Sequence, residues 1–268
     1  MRKLSISEIT TRDWSFEEDV RHYQEAGLDG IGVWWNKLKV YGVEEGRALL
    51  KDAGLAVSSL ISTGHFTLES RAHLSACIDN PVEAIDIAAA LEADCLAVVT
   101  GPPDRYSLKD ALQIAVDRIA EIVPVAEQRG IRLALEPLHP MYTADVSVLN
   151  TLSQALNIVE EIDSPYLGLF LDTYHLWWDH ELDTLIPRCK GRIFAVHVSD
   201  WRNPPRTLHT DRAMMGEGVI PLKHILGLIE DTGYDGCYEV EILSEELWQS
   251  DQQELVKRCR ATFEAIWS

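Results

Sequence analysis

The sequence predicts an α/β protein, a single (β/α)8 TIM barrel that extends over residues 1–268. Short apolar runs alternate with amphipathic stretches along the whole chain, which is the pattern of repeated parallel βα units. Several runs are almost continuously apolar, as expected of strands that are covered on both faces. Eight units in about 250 residues match the usual size of a TIM barrel. The proposed strands are Leu4–Ile6, Gly30–Trp34, Leu55–Leu60, Cys95–Val99, Ile131–Glu136, Leu167–Asp172, Ile193–Ser199 and Cys237–Glu241.

The stretches between these strands carry residues that begin and end helices. Ser15 with Glu18, and Thr151 with Gln154, have the spacing of capping boxes. The segment 247–267 predicts a C-terminal helix that closes the barrel. A doubly wound open sheet is the alternative fold, but the GxGxxG turn that usually marks it is absent from the sequence. Glycines that follow a helical pattern, where helices often end, are Gly27, Gly54, Gly130 and Gly233.

The composition limits the partners that the protein is expected to have. The formal net charge is −19, and so acidic a surface repels the phosphates of nucleic acids. No run is long and apolar enough to span a membrane, and the start, MRKLSISEIT, lacks the apolar region of a signal peptide. The five cysteines show no CxxC spacing, which is typical of reduced, buried thiols. We therefore expect a cytoplasmic protein without nucleic-acid or membrane partners.

Four polar residues lie where four late strands should end: Glu136, Asp172, His197 and Glu241. The catalytic residues of a barrel come from the C-terminal ends of several strands, so these four side chains should meet at one mouth. Three carboxylates with a single imidazole suit one hard divalent cation. Mn²⁺ is the favoured metal, and Mg²⁺, Co²⁺ and Zn²⁺ are also compatible with the set.

The same residues resemble the sugar phosphate isomerase/epimerase superfamily, which has the xylose-isomerase-like TIM barrel. This is the group of ketose 3-epimerases, hydroxypyruvate isomerases and inosose dehydratases. The resemblance covers the second half of the chain in order, whereas the first half matches only in its strand–helix rhythm. The matching segments are Glu136-Pro137-Leu138, Asp172-Thr173-Tyr174-His175, His197-Val198-Ser199-Asp200, Gly216-Glu217-Gly218-Val219-Ile220-Pro221, and Gly233-Tyr234-Asp235-Gly236 followed by Glu241.

The resemblance implies a role for each matched position. The four strand-end residues would hold the metal, and Glu136 and Glu241 would also flank the reacting carbon as an acid/base pair. His175 would donate to a substrate oxygen. The chemistry would be isomerisation or epimerisation of a keto-sugar or keto-polyol through an enediolate, which a chelated metal stabilises as a Lewis acid. For each glutamate, a role as metal ligand alone is the alternative.

Two segments depart from the ketose 3-epimerase pattern. Tyr142 stands where those enzymes carry a further substrate-binding glutamate. In the loop after His197, the substrate arginine is Arg202, Arg206 or neither. Both departures fit a cyclic, oxidised or glycosidic keto-sugar at least as well as an open-chain ketose.

Further residues are candidates for contact with a small carbohydrate. His65 and His139 follow proposed strands, and each is either a substrate contact or a structural loop histidine. Trp34, like other tryptophans that follow strand ends, offers a stacking wall for sugar C–H faces. Packing against the helices or a homo-oligomer interface is the alternative for these rings. The pair Asp211-Arg212 reads as an ion pair that orders a loop, with a substrate clamp as the alternative.

Other functions fit the same barrel. A lyase would use the same enolisation and then expel a β-leaving group, as a dehydratase or a keto-glycoside-cleaving enzyme does. His139, His175 or Tyr142 would supply the acid for that step. A DNA-repair endonuclease calls for a histidine-rich mouth and a basic surface, which the charge disfavours. A non-catalytic binding barrel would have no need of both flanking glutamates.

Overall fold

Eight parallel strands form a closed barrel in the computed structural model, which describes residues 2–68 and 77–268. Neighbouring strands in the barrel follow one another along the chain, and the last strand pairs with the first. The predicted fold is therefore confirmed. The barrel strands are β1 (Lys3–Ser7), β2 (Gly30–Trp34), β3 (Ala56–Gly64), β4 (Leu96–Val99), β5 (Leu133–Leu135), β6 (Leu167–Asp172), β7 (Ile193–Val198) and β10 (Cys237–Val240). Two short antiparallel strands, β8 (Asp200–Trp201) and β9 (Arg212–Ala213), form a separate sheet.

The strand β3 is longer than the sequence predicted, because it continues past Leu60 to Gly64. The extension contains the polar residues Ser62 and Thr63, which interrupt the apolar run from which the strand was predicted. Gly64 has φ +125°, and a Cβ at this position would lie 1.9 Å from the carbonyl oxygen of Val99. Only glycine allows so close an approach of β3 to β4 in that conformation.

Helices connect the strands and form the outer layer. Both predicted capping boxes are confirmed, at Ser15 and at Thr151. The predicted closing helix over 247–267 is two helices, because the Asp251 side chain accepts two backbone N–H groups and begins a new helix there. The helices are α1 (Phe16–Glu25), α2 (Trp35–Tyr41), α3 (Val43–Ala53), α4 (Pro81–Ala90), α5 (Leu108–Arg129), α6 (Leu152–Ile162), α7 (Thr173–Leu176), α8 (Leu182–Leu185), α9 (Leu222–Asp231), α10 (Glu245–Trp248) and α11 (Gln252–Ala265). Two 3₁₀ turns cover Pro140–Tyr142 and Ile186–Cys189.

The alternation of side chains along the strands separates two apolar layers. Residues such as Leu133 and Leu169 belong to the large core that also contains the helices. Ala134, Phe170 and Ala195 belong to a smaller buried cluster of their own. Since side chains alternate between the two faces of a strand, the second cluster faces the barrel interior. The residues two positions after these three share that face, and they are Glu136, Asp172 and His197.

A buried charged cluster lies where β1 and β2 end. Glu8 is fully buried, and its Oε2 accepts the backbone N–H of Trp34 at 2.7 Å. Lys37 donates to Asp19 Oδ2 at 2.5 Å and to the carbonyl oxygen of Thr11 at 2.9 Å. Burial raises the pKa of Glu8 well above its usual value, and the nearby Asp19 carboxylate raises it further. The raised pKa favours the protonated form of Glu8, which joins the end of β1 to the end of β2, while Lys37 and Asp19 join α2 to α1.

The five cysteines are buried as free thiols, which confirms the expectation from their spacing. The helices formed by residues 2–68 and 77–268 include none that is long and apolar enough to cross a membrane.

Candidate metal centre and active site

The four polar residues predicted from the strand ends meet at one mouth of the barrel. Glu136 follows β5 directly, Asp172 is the last residue of β6, His197 lies in β7, and Glu241 follows β10. In the sheet, Asp172 and His197 are register partners. All four side chains are buried, with exposed fractions between 0% and 7%. Such a concentration of buried acidic groups is costly unless cations neutralise it.

His197 occupies the centre of this arrangement. Its Nδ1 lies 3.5 Å from Glu136 Oε1, 3.8 Å from Asp172 Oδ2 and 3.4 Å from Glu241 Oε2. This nitrogen is buried and has no hydrogen-bond partner among the described residues. Its Nε2 is 3.0 Å from Glu239 Oε1. One imidazole nitrogen is thus held by a carboxylate, and the other faces three carboxylate oxygens.

This donor set fits a divalent cation. Ligand atoms of Asp172, His197 and Glu241 lie within 4.8 Å of one another, as do those of Glu136, Asp172 and His175. Ligands that each bind a small cation at about 2.0–2.2 Å are themselves roughly 3–3.5 Å apart. The distances from His197 Nδ1 are close to that range. Carboxylate oxygens with one imidazole favour hard or borderline divalent metals.

Asp172 is held in place by the helix that follows it. Its Oδ1 accepts the backbone N–H of Tyr174 at 2.7 Å, so the residue is the N-cap of α7. Its Oδ2 points into the mouth. Burial opposes ionisation, but Arg212, His175 and His197 lower the pKa of Asp172 to about 2. The carboxylate is therefore charged at every physiological pH.

Arg212 reaches the same carboxylates. The sequence favoured a loop-ordering ion pair for Asp211-Arg212 and gave a site role only as the alternative, but Asp211 pairs with Arg202 and Arg206 and Arg212 pairs with Asp172 and Glu241. Its Nη1 lies 2.9 Å from Asp172 Oδ2, 3.1 Å from Glu241 Oε2 and 3.2 Å from the carbonyl oxygen of Glu241. Its Nη2 lies 3.3 Å from His175 Nε2, and the residue is 2% exposed. Arg212 belongs to β9, whose pairing with β8 carries it from the loop into the mouth. Its place shortly before the Gly216-Glu217-Gly218 segment was the available signal.

The protonation states of the centre follow from burial and neighbouring charges. Burial raises the pKa of Glu241 to about 7, although His197 and Arg212 oppose the shift. Burial disfavours the imidazolium of His197, but Glu241 and Glu239 raise its pKa well above the usual 6.5. Without a cation, His197 is therefore protonated and neutralises its carboxylate neighbours. A metal ion at Nδ1 would replace that proton.

His175 and Tyr142 form the edge of the mouth beside Arg212. The His175 ring lies 5.3 Å from the Tyr142 ring, edge to face. Burial lowers the pKa of His175 to about 3, so the imidazole is neutral at physiological pH. Burial raises the pKa of the Tyr142 hydroxyl, which stays protonated. Both groups are thus neutral hydrogen-bonding groups.

An aromatic cluster lies beside these residues. The His139 ring is 4.9 Å from the Trp201 ring, and Trp201 stacks on Tyr174 at 4.7 Å. Trp178 is 5.8 Å from His139. His139 Nδ1 accepts the backbone N–H of Met141, so this histidine also caps the 3₁₀ turn after β5. Two of the tryptophans that the sequence offered as a stacking wall, Trp178 and Trp201, therefore pack against neighbouring rings of the protein.

Arg202 and Arg206 form ion pairs away from the centre. Arg202 Nε lies 2.9 Å from Asp211 Oδ1, and Arg206 Nη2 lies 2.6 Å from the same oxygen. Both guanidinium groups also contact Glu246. They order the loop between β8 and β9, and it is Arg212 that contacts the carboxylates of the mouth.

Trp34 and His65 lie at the ends of β2 and β3. Trp34 is partly exposed, and its backbone N–H bonds to Glu8. Across the described residues, no ring contact or hydrogen bond joins its indole to the four polar residues. His65 is 6% exposed, has φ +53°, and donates its backbone N–H to the carbonyl oxygen of Val99. A substrate contact of either residue therefore stays a prediction.

Asp200 fixes the turn that follows Arg212. Its carboxylate accepts the backbone N–H groups of Gly216, Gly218 and Ile220 at 2.9–3.0 Å. A Cβ on Gly218 would lie 2.3 Å from both Asp200 Oδ1 and the carbonyl oxygen of Trp201, so glycine is required by the close approach. The predicted Gly216-Glu217-Gly218 segment is therefore held against Asp200 after β9, the strand that contains Arg212.

The closed barrel, with its acidic ligand set at the C-terminal ends of the strands, defines a TIM-barrel protein built around a candidate metal centre. The chain belongs to the xylose isomerase-like TIM barrel family, whose model matches residues 20–260. Among solved structures, the protein SMc04130 from Sinorhizobium meliloti 1021 is 36% identical. That likeness covers 98% of both chains, with a TM-score of 0.92. The IolI protein, solved with a bound zinc atom, has a TM-score of 0.86 at 21% identity over 98% of this chain and 97% of its own.

Curated relatives carry names of more than one reaction type. The inosose isomerase of Halalkalibacterium halodurans is 25% identical over 97% of this chain and 94% of its own length. The 3-dehydroshikimate dehydratase of Pseudomonas putida is 28% identical over 82% of this chain, which corresponds to 35% of that longer protein. The relatives are thus consistent with an enzyme that is a sugar isomerase, epimerase or dehydratase.

Proposed function

We propose that the chain is a divalent-metal-dependent isomerase or epimerase that acts on a keto-sugar or keto-polyol through an enediolate. The observation that carries the proposal is the buried Nδ1 of His197, which faces oxygens of Glu136, Asp172 and Glu241 and has no hydrogen-bond partner among the described residues. The inosose isomerase relative and the zinc in the IolI structure support it. Mn²⁺ is our preferred metal because three of the four ligands are carboxylates.

In this proposal, Glu136, Asp172, His197 and Glu241 hold the cation, which supplies Lewis-acid stabilisation of negative charge on substrate oxygens. Glu136 and Glu241 come from different strands and approach His197 Nδ1 with one oxygen each. We assign one of them to remove the proton next to the carbonyl and the other to return a proton from the opposite face. Positioned carboxylates in such roles contribute about 10²–10⁴-fold to the rate.

Neighbouring residues would orient the substrate. Arg212 presents N–H groups at the mouth, the neutral His175 accepts from Arg212 through Nε2 and carries its proton on Nδ1, and Tyr142 adds a protonated hydroxyl. A cyclic ketone holds its carbonyl and adjacent hydroxyl in a fixed arrangement, and His139 with Trp178 offers an aromatic edge to pack on it. We therefore propose an inosose-like or oxidised sugar ring as the substrate in preference to an open-chain ketose.

A lyase is the second candidate, and two observations favour it. One relative is a dehydratase. Burial also keeps the Tyr142 hydroxyl protonated, so a proton donor stands beside His175. If the ring carries a leaving group β to the carbonyl, the same proton abstraction would end in elimination.

Incubation of the Mn²⁺-loaded protein with ring ketones in D₂O tests the proposal. Nuclear magnetic resonance should show deuterium at the carbon next to the carbonyl, and mass spectrometry should decide the outcome. A product whose mass differs only by exchanged deuterium indicates isomerisation, and loss of water or an aglycone indicates a lyase. Rapid turnover of open-chain fructose or tagatose would contradict the proposed substrate class. Turnover that proceeds unchanged after complete removal of metal would contradict the proposed mechanism.

A further inference from the structure

Glu239 lies inside the barrel beneath the candidate metal centre. It is the third residue of β10 and 1% exposed, and its register partner in β7 is His197. Its Oε1 lies 3.0 Å from His197 Nε2. A buried carboxylate is costly unless its oxygens are hydrogen-bonded or paired with a charge, so the contacts of Glu239 need an explanation.

Three strands besides β10 converge on this carboxylate. On the β3 side, Ser58 Oγ donates to Oε2 at 2.7 Å, and Ser59 Oγ donates to Oε2 at 2.9 Å and contacts Oε1 at 3.1 Å. On the β2 side, Gly32 leaves the space that the carboxylate fills, because a Cβ there would lie 1.8 Å from Oε1. The two serine hydroxyls therefore hold the Glu239 carboxylate on the side away from His197, and Gly32 leaves the space that this carboxylate needs.

We propose that Glu239 is a positioning residue that fixes the orientation and tautomer of His197, so that the Nδ1 lone pair faces Glu136, Asp172 and Glu241. When Nε2–H donates to Glu239, Nδ1 is the nitrogen left to bind a cation. The inference rests on the proposed metal centre and extends it to Glu239, Ser58, Ser59 and Gly32. Glu239 itself does not touch metal or substrate.

The arrangement leads to a specific expectation for Gly32. Replacing it by alanine adds one methyl group in the space that Oε1 occupies. The methyl group should push the carboxylate away from His197 without altering any proposed ligand. In a chain that already lacks the Glu239 carboxylate, the same methyl group meets no obstacle. The two substitutions should therefore be strongly non-additive.

Binding of Co²⁺ to metal-free protein, followed by its visible absorption spectrum and by calorimetry, tests the inference without any substrate. Wild type should bind one equivalent, and Asp172→Ala should abolish that site. Glu239→Ala and Gly32→Ala should each weaken Co²⁺ binding by about 10–100-fold, the usual effect of losing the partner of a ligating histidine. Glu239→Gln keeps an acceptor oxygen and should recover most of the affinity. Thermal unfolding of the metal-free variants checks that each is folded.

Glu254→Ala is the matched control, since it removes an exposed carboxylate of α11 that lies outside the proposed arrangement. Its affinity for Co²⁺ should stay within about twofold of wild type. In the Glu239→Ala background, Gly32→Ala should cause no further loss. Wild-type affinity in Glu239→Ala, equal losses in Glu239→Gln and Glu239→Ala, or additive effects of the two substitutions would each overturn the positioning role. Failure of wild type to bind Co²⁺ at all would instead contradict the proposed metal centre.

Discussion

Arg212 Nη1 lies 2.9 Å from Asp172 Oδ2, so a cation from the β8–β9 loop neutralises a carboxylate of the strand-end cluster. The same nitrogen is 3.1 Å from Glu241 Oε2. Burial opposes the guanidinium charge, but Asp172 and Glu241 raise the pKa of Arg212 above its usual value. The charge of Arg212 therefore stabilises two carboxylates of the candidate metal centre, Asp172 and Glu241.

Replacing Arg212 by alanine should destabilise the metal-free protein by about 3–5 kcal/mol, because the buried Asp172 and Glu241 lose their cation. Urea unfolding in the presence of a chelator measures this. Arg118→Ala is the matched control, since that arginine and its partner Glu121 are both exposed on α5. Its unfolding free energy should stay near that of wild type. Equal losses in the two variants would contradict the buried role of Arg212.

Glu136→Gln and Glu241→Gln should each lower the turnover number by about 10²–10⁴-fold, because each removes a carboxylate proposed to transfer a proton. Metal content must be measured in parallel, so that weaker metal binding is separated from lost proton transfer. Glu254→Gln makes the same chemical change on the exposed face of α11 and should leave turnover unchanged. If both site variants regain full activity at saturating metal, the two glutamates are metal ligands only.

Asp200→Ala should destabilise the protein by about 1–3 kcal/mol, since the backbone N–H groups of Gly216, Gly218 and Ile220 lose their acceptor. Turnover should fall as well, because β8, which begins at Asp200, pairs with the strand that carries Arg212. Asp200→Asn keeps one acceptor oxygen and should lie between wild type and the alanine variant. Urea unfolding and steady-state kinetics check both effects. Unchanged turnover in a destabilised Asp200→Ala variant would show that the loop does not position Arg212.

Glu8 should make stability depend on pH. Burial raises its pKa in the folded chain, so the native state keeps a proton that the unfolded chain loses near the usual value of 4.5. The stabilising contribution is complete below that value and is lost as pH rises through the raised pKa of the folded state. Glu8→Gln keeps the neutral shape. Relative to this variant, wild type should lose stability in urea unfolding as pH rises above the usual value of 4.5. Parallel pH profiles would mean that Glu8 is ionised in the native state.

The sequence was sufficient for the barrel and for the strand-end residues, for a physical reason. Buried parallel strands are continuous apolar runs, and a polar residue that ends such a run stands out. Asp172 and Glu136 are separated by 36 residues in the chain, yet the fold brings their strands side by side. Once the barrel fold is predicted, the positions of these residues at the strand ends are enough to place them at one mouth.

Arg212 and Glu239 could not be found in the same way. Arg212 reaches the mouth through a loop whose course depends on three backbone contacts to Asp200. Glu239 looks like an ordinary residue of the strand Tyr-Glu-Val-Glu, and its partners Ser58, Ser59 and Gly32 come from strands that are distant in the sequence. Contacts of this kind are set by tertiary packing, which an apolar pattern does not report.

The most direct test of the central claim is an anomalous-scattering map of crystals soaked with Mn²⁺. The account predicts one strong peak enclosed by Glu136, Asp172, His197 and Glu241, with His197 bound through Nδ1. Crystals treated with a chelator should lose the peak and keep the barrel unchanged, because the core does not depend on the metal. A peak at another place, or none among these four residues at saturating Mn²⁺, would contradict the proposed metal centre.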